Sequence, residues 1–237
     1  MPKLDIKIDF RKEHWFIRKK YPSAEKAIGR DHFSRIINFN VPNAYRPDPA
    51  QLEKNILSYL RQNQSEISSS LQKKKRIIQE RWNQISEAFF RDSEGLTGIR
   101  WRKEKYTLYF LASCFWGGDY DENGKNIYIS PLLPHGDPLY IILHELSHLL
   151  FWEYIYDTYP PALISRNHVQ FWALSEIMVN YPLLKMRLGI EMPVVIPHSV
   201  SGGKRLIKKF GAHSFKEIIT QELKRGGMTS SHSTLQS

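Results

Sequence analysis

Apolar residues recur at intervals of three, four and seven from residue 52 onward: Leu52, Ile56, Leu60, Ile67, Leu71, Ile78, Trp82, Ile85 and Phe89. That spacing puts them on one helical face. Asp48-Pro49 opens the run, since Asp caps a helix and Pro suits its first position. The pattern predicts one long helix, or two broken near 62–65, ending over 92–98. The period then changes. Segments 106–112 and 126–130 read as strands, and Asp121-Glu-Asn-Gly between them holds Asn123-Gly124, a strong tight-turn dipeptide. A denser apolar run, 139–152, starts after Asp137-Pro138, continues as helix to about 156 and is closed by Pro160-Pro161. Asn167 with Gln170 resembles a capping box for a helix ending before Tyr181-Pro182. Ser214 precedes a last helix over 215–224.

Residues 1–47 fit no single element. They mix an alternating segment (Leu4, Ile6, Ile8, Phe10) with aromatic and Pro-bearing loops. Residues 48–225 read as one domain that includes the helical run. The tail 226–237, GGMTSSHSTLQS, reads as disordered. A chain of 237 residues with 41% hydrophobic content favours a single core over two. Its 13% aromatic content argues against extensive disorder. A single cysteine, Cys114, rules out an intrachain disulfide and suits a reducing compartment. The N-terminus has no apolar core of the kind a secretory signal needs, and 139–152 is too short to span a bilayer. The reading is a cytoplasmic protein. The net charge of +10 suits nucleic acid or acidic partners; the alternative is an excess spread over solvated faces.

The apolar run changes the picture most, because it contains HELSH at 144–148. Positions i and i+4 of a helix lie one turn apart on nearly the same face, so His144 and His148 can converge on one metal ion. Glu145 sits on the neighbouring face. There it can serve as general base, taking a proton from water activated by zinc (Zn2+) as that water attacks a carbonyl. With nine histidines and fifteen glutamates, chance gives about 0.02 such patterns in a chain of this composition. The alternative is a core helix whose histidines are satisfied by ordinary hydrogen bonds. Cys114 has no base to pair with and reads as a small buried hydrophobe.

HELSH after two strands resembles the zincin metallopeptidase superfamily over roughly residues 100–185. The resemblance implies an α+β core, with a small mixed or antiparallel sheet packed on the HExxH helix and on a second ligand-bearing helix. The helices before it add a long N-terminal helical region. It also implies an edge strand along the cleft that pairs with substrate peptide, here 126–130 or 106–112. A catalytic zinc needs a third protein ligand. Glu153 is too far along the helix axis. Glu176 sits inside an apolar helix, where a carboxylate is costly unless it meets a cation; this arrangement is similar to the gluzincins. Asn180 would then orient a histidine, although some gluzincins carry Asp there. His168, in NHVQFWAL, resembles the third histidine of SprT-like metalloproteases. The cost of burying Glu176 favours it over His168. His135, His198, His213, Tyr154 and Tyr181 are weaker candidates for stabilising an oxyanion.

The expectation is a zinc metallopeptidase acting on peptide or protein. One alternative is an SprT-like protease on DNA-associated proteins, which the charge would suit. The other is a non-enzymatic zincin-like interaction module. The hydrolytic centre comes from the residues and the peptide substrate from the resemblance alone.

Overall fold

The computed structural model describes residues 1–122, 124–133, 137–169, 171–172, 174–176, 179 and 217–221. A strand, β1 (Lys3–Ile8), is followed by four helices, α1 (Phe10–Ile28), α2 (Arg30–Asn40), α3 (Pro49–Gln62) and α4 (Gln64–Thr97). Then come β2 (Lys105–Phe110), β3 (Gly118–Tyr120), β4 (Asn126–Ile129), α5 (Pro138–Thr158) and α6 (Pro161–Arg166). The fold is α+β, with a small mixed sheet packed against helices and an N-terminal helical region. No helix among the described residues is long and apolar enough to cross a membrane.

The sheet order is β1-β2-β4-β3. β1 and β4 both run parallel to β2, and β3 runs antiparallel to β4. The two inner strands are covered on both faces: Tyr106, Leu108, Ile127, Tyr128 and Ile129 are all fully buried. This corrects the edge-strand expectation, because 106–112 and 126–130 supply the interior strands. The edge beside α5 is β3, whose three residues Gly-Asp-Tyr are too few and too polar to register as an alternating pattern. The turn expected before β4 is present as a hydrogen bond from Gly124 N–H to the Asp121 carbonyl, 2.7 Å; Asn123 lies outside the described residues.

Residues 1–47 are more ordered than their sequence implied. The alternating segment is β1, which buries Leu4 and Ile6 at the far edge of the sheet. Two helices follow, with Pro22 accommodated inside α1. The helical run after Asp48 is two helices parted at Asn63, whose side-chain amide donates to the Tyr59 carbonyl. A helix follows α6 as expected, and Phe171 N–H donates to the Asn167 carbonyl. Gln170, the partner in the capping box, lies outside the described residues, as do Ser214 and the tail from 226. The last expected helix is described over 217–221, where Ile218 and Ile219 are fully buried.

Two tethers position what matters later. In α1, Glu13 is buried and accepts hydrogen bonds from the N–H groups of Ala112 (2.6 Å) and Ser113 (3.1 Å) and from the Ser113 hydroxyl. Tyr21 donates to the Ser113 carbonyl, so α1 grips the loop that leads from β2 to β3. Asp137 caps α5 by accepting from Leu139 N–H at 3.0 Å, and it also forms a paired contact with the Arg81 guanidinium of α4, at 2.9 and 2.5 Å. Burial would raise the Asp137 pKa, but these hydrogen bonds outweigh it and hold the carboxyl below its usual range.

Asp137→Ala is therefore expected to lower unfolding free energy by about 1–2 kcal/mol in urea denaturation. Asp48 caps α3 at 3.1 Å and forms no salt bridge among the described residues, so Asp48→Ala should cost less. Equal losses would mean that Arg81 contributes nothing.

Candidate metal centre

α5 is apolar on nearly every side, and most of its residues from Leu139 to Ile155 are buried. Placing His144, Glu145 and His148 there removes three ionisable groups from water. Burial lowers the His144 pKa to about 4. Burial, together with its neighbour His144, takes His148 well below the ordinary range. Both rings are thus neutral at physiological pH, each keeping a lone pair on one nitrogen.

Those rings point at each other and at a carboxylate. The His144 and His148 Nε2 atoms are 3.1 Å apart. Glu176, from the helical segment after α6, brings Oε1 to 3.5 Å from His148 Nε2 and Oε2 to 3.8 Å from His144 Nε2. One ligand atom from each residue fits within 4.8 Å of the others. Donor atoms held 2.0–2.1 Å from one tetrahedral ion lie about 3.3 Å apart. The three separations bracket that value. Three electron-rich atoms so close repel one another unless a proton or a cation lies between them, and their spacing lets the group hold a metal ion. The His144 and His148 Nδ1 atoms are buried without a hydrogen-bond partner among the described residues, unlike the usual buttressed metal-binding histidine.

Of the two proposed third ligands, only Glu176 joins this cluster. His168 stacks flat on Trp152, with ring centres 5.5 Å apart, and its Nε2 meets the Glu122 carboxylate at 2.9 and 3.0 Å. Glu153 accepts from the Tyr106 hydroxyl and pairs with Lys103. Tyr154 packs against Tyr159, and Cys114 is fully buried. Asn180, Tyr181, His135, His198 and His213 lie outside the described residues.

Glu145 turns from the cluster towards β3. A Cβ added at Gly118 would fall 2.8 Å from Glu145 Cγ and Cδ, and closer still to Oε1. Only glycine lets the strand pass this near. Gly117 before it has φ of 106°, a conformation that side chains resist. Burial pushes the Glu145 pKa well up, the Asp119 and Glu176 charges push it further, and Lys20 opposes them. That lysine comes from α1. Its Nζ donates to Asp119 Oδ1 at 2.8 Å and to the Tyr120 carbonyl at 2.6 Å. The Tyr120 ring lies on His148, with centres 4.6 Å apart and planes 15° off parallel, and its hydroxyl accepts from Trp152 Nε1. Lys20, Gly118, Asp119 and Tyr120 escaped the sequence reading. The Gly117-Gly118 pair was the one available signal.

Neither a family model, nor a curated protein, nor a solved structure matches this chain.

Two outcomes follow from this geometry. Glu176→Ala should weaken metal binding by at least about 100-fold in chelator competition, and His168→Ala by less than about tenfold; the reverse order would remove Glu176 as a ligand. Burial also raises the Glu176 pKa from 4.5 to about 7. A raised carboxylate pKa means the folded, metal-free protein holds a proton that the unfolded chain releases. Its stability contribution is complete below pH 4.5 and is lost as pH rises through about 7. His144 and His148, with lowered pKa values, contribute in the opposite sense, so the expected effect is a difference: from pH 5 to pH 8 the melting temperature of the metal-free wild type should fall more, or rise less, than that of Glu176→Gln. An unchanged slope in the variant would place the titrating group elsewhere.

Proposed function

We propose that this chain is a zinc-dependent hydrolase, most simply a peptidase, in which His144, His148 and Glu176 hold the ion and Glu145 is the general base. The observation that carries the reading is the buried Glu145 carboxylate, next in sequence to one ligand and directed at the backbone of β3. A base beside an ion, but not bound to it, is the arrangement that hydrolysis requires. Two neutral imidazoles and one carboxylate form a donor set suited to catalytic zinc. When bound, zinc would supply a Lewis acid that polarises a carbonyl and acidifies water.

The protein's own groups account for the rest. Glu145 takes a proton from the attacking water at a carboxylate oxygen and returns it to the leaving amine. Burial raises its pKa, which makes the carboxylate the stronger base for the first of these transfers. Lys20 holds Asp119 and the Tyr120 carbonyl, which fixes the strand against which Glu145 rests. β3 is the terminal strand of the sheet. Lys20 and the Asp119 carboxylate already engage the outward carbonyl and N–H of Tyr120, so the edge pairing with an extended peptide that the zincin resemblance implies falls to Gly118. What speaks against His168 as a ligand, and so for the gluzincin-like branch over the SprT-like one, is its pairing with Glu122.

Glu145→Gln is expected to retain zinc with near wild-type affinity and to lose at least about a thousandfold in kcat towards peptides. Equal turnover by the variant at equal zinc content would remove Glu145 as the base.

A further inference from the structure

A cavity of about 320 Å³ lies where the first turns of α1 face the end of α3 and the start of α4. Its apolar wall is Phe10, Leu57 and Leu60, and its polar groups are Arg11, Glu13, His14, Arg61 and Gln64. The two helices are tied together one turn away. There Glu53 of α3 meets His14 Nε2 at 2.7 Å and Arg18 Nε at 2.8 and 2.9 Å. Past that tie α3 ends at Gln62 and the chain turns at Asn63 into α4. Leu60 is buried at this place, whereas Phe10 and Leu57 stay half-buried. Ligand pockets run from about 300 to 1,000 Å³, so an opening of this size suits a small molecule rather than a segment of protein.

The charges at the cavity are unevenly committed. The Arg61 guanidinium has no hydrogen bond or ion pair among the described residues. Arg11 bonds through Nε alone, to Asp9 at 3.3 Å, and its side chain is 93% exposed. The acidic groups nearby are spent. Asp9 caps α1 by accepting from Arg11 N–H, and Glu53 is shared between His14 and Arg18. Glu13 gives its two carboxylate oxygens to the N–H groups of Ala112 and Ser113, and burial raises its pKa, which weakens the negative charge it shows to the cavity. An apolar wall with two uncommitted guanidinium groups beside it is complementary to a molecule that is apolar at one end and anionic at the other. A guanidinium holds a carboxylate through paired N–H bonds. With Asp9 and Glu13 close by, the positive surplus is small, which suits a single negative charge better than a doubly charged phosphate.

We propose that this cavity binds a small monocarboxylate, its apolar body against Phe10, Leu57 and Leu60 and its carboxylate at Arg11 and Arg61. The site shares no residue with the candidate metal centre and does not depend on the hydrolase reading.

The test is isothermal titration calorimetry of the full chain with decanoate, decanol and decyltrimethylammonium, which carry the same apolar tail. Decanoate should bind at one site per chain, at least about tenfold more tightly than either of the others. Arg11→Gln combined with Arg61→Gln alters exposed side chains and leaves the apolar wall intact; it should weaken decanoate at least about tenfold. Lys73→Gln combined with Arg76→Gln, on an exposed stretch of α4 outside the cavity, should leave binding within about twofold. Methyl NMR of the wild type should show decanoate shifting the signals of Leu57 and Leu60. Equal binding of the three compounds, an equal loss from the Lys73 and Arg76 substitutions, shifts confined to other methyl groups, or no saturable binding of decanoate would each overturn the proposal.

Discussion

His148 and Glu145 are buried on a helix whose remaining buried residues are almost all apolar, and each has to be reconciled with that surrounding. A carboxylate out of water is tolerated when it keeps its proton or meets a cation. An imidazole in the same place loses its proton instead. Both happen here, and they leave neutral nitrogens facing the Glu176 carboxylate with Glu145 beside them. A cation among His144, His148 and Glu176 would resolve the repulsion of that group and would also relieve the second carboxylate close by. The neighbouring strand, the helix that supplies Glu176 and the lysine from α1 are arranged around this one electrostatic problem.

β3 is the second consequence. A strand of three residues has little stability of its own, and this one pairs with β4 along a single edge. Lys20 compensates by bonding to a side chain and a main-chain carbonyl of the strand, and the buried Glu13 fixes the loop that leads to it. Burial raises the Glu13 pKa despite three hydrogen bonds to its carboxylate. Such a group is costly, and its hydrogen bonds tie the root of the β3 loop to α1.

The legible parts of the sequence were those where a local rule is strong. Asp48-Pro49 and Asp137-Pro138 marked helix starts because capping needs a specific side chain at one position. The apolar spacing from Leu52 to Phe89 gave α3 and α4, and the two interior strands were read because they are continuous apolar runs. The spacing of His144 and His148, and the cost of burying Glu176, pointed to the three residues that the structure brings together. β3 was illegible, since Gly-Asp-Tyr carries no period and its role depends on what lies beneath it. Lys20 was hidden for a related reason: its partners, Asp119 and Tyr120, are about a hundred residues away. In sequence it is one more lysine on a basic chain.

That distance bears on which parts of the chain build the candidate metal site. The zincin resemblance spans roughly residues 100–185, which contain the three candidate ligands, the candidate base and the three strands nearest to them. Yet three side chains of α1, those of Glu13, Lys20 and Tyr21, hold the segment from Ala112 to Tyr120, and β1 completes the sheet beside β2. A core cut at residue 100 would keep every candidate metal ligand and lose the groups that hold Gly118 over Glu145 and Tyr120 over His148. The N-terminal region is thus part of the site's frame, and the cost of the buried carboxylates is shared between both halves of the chain.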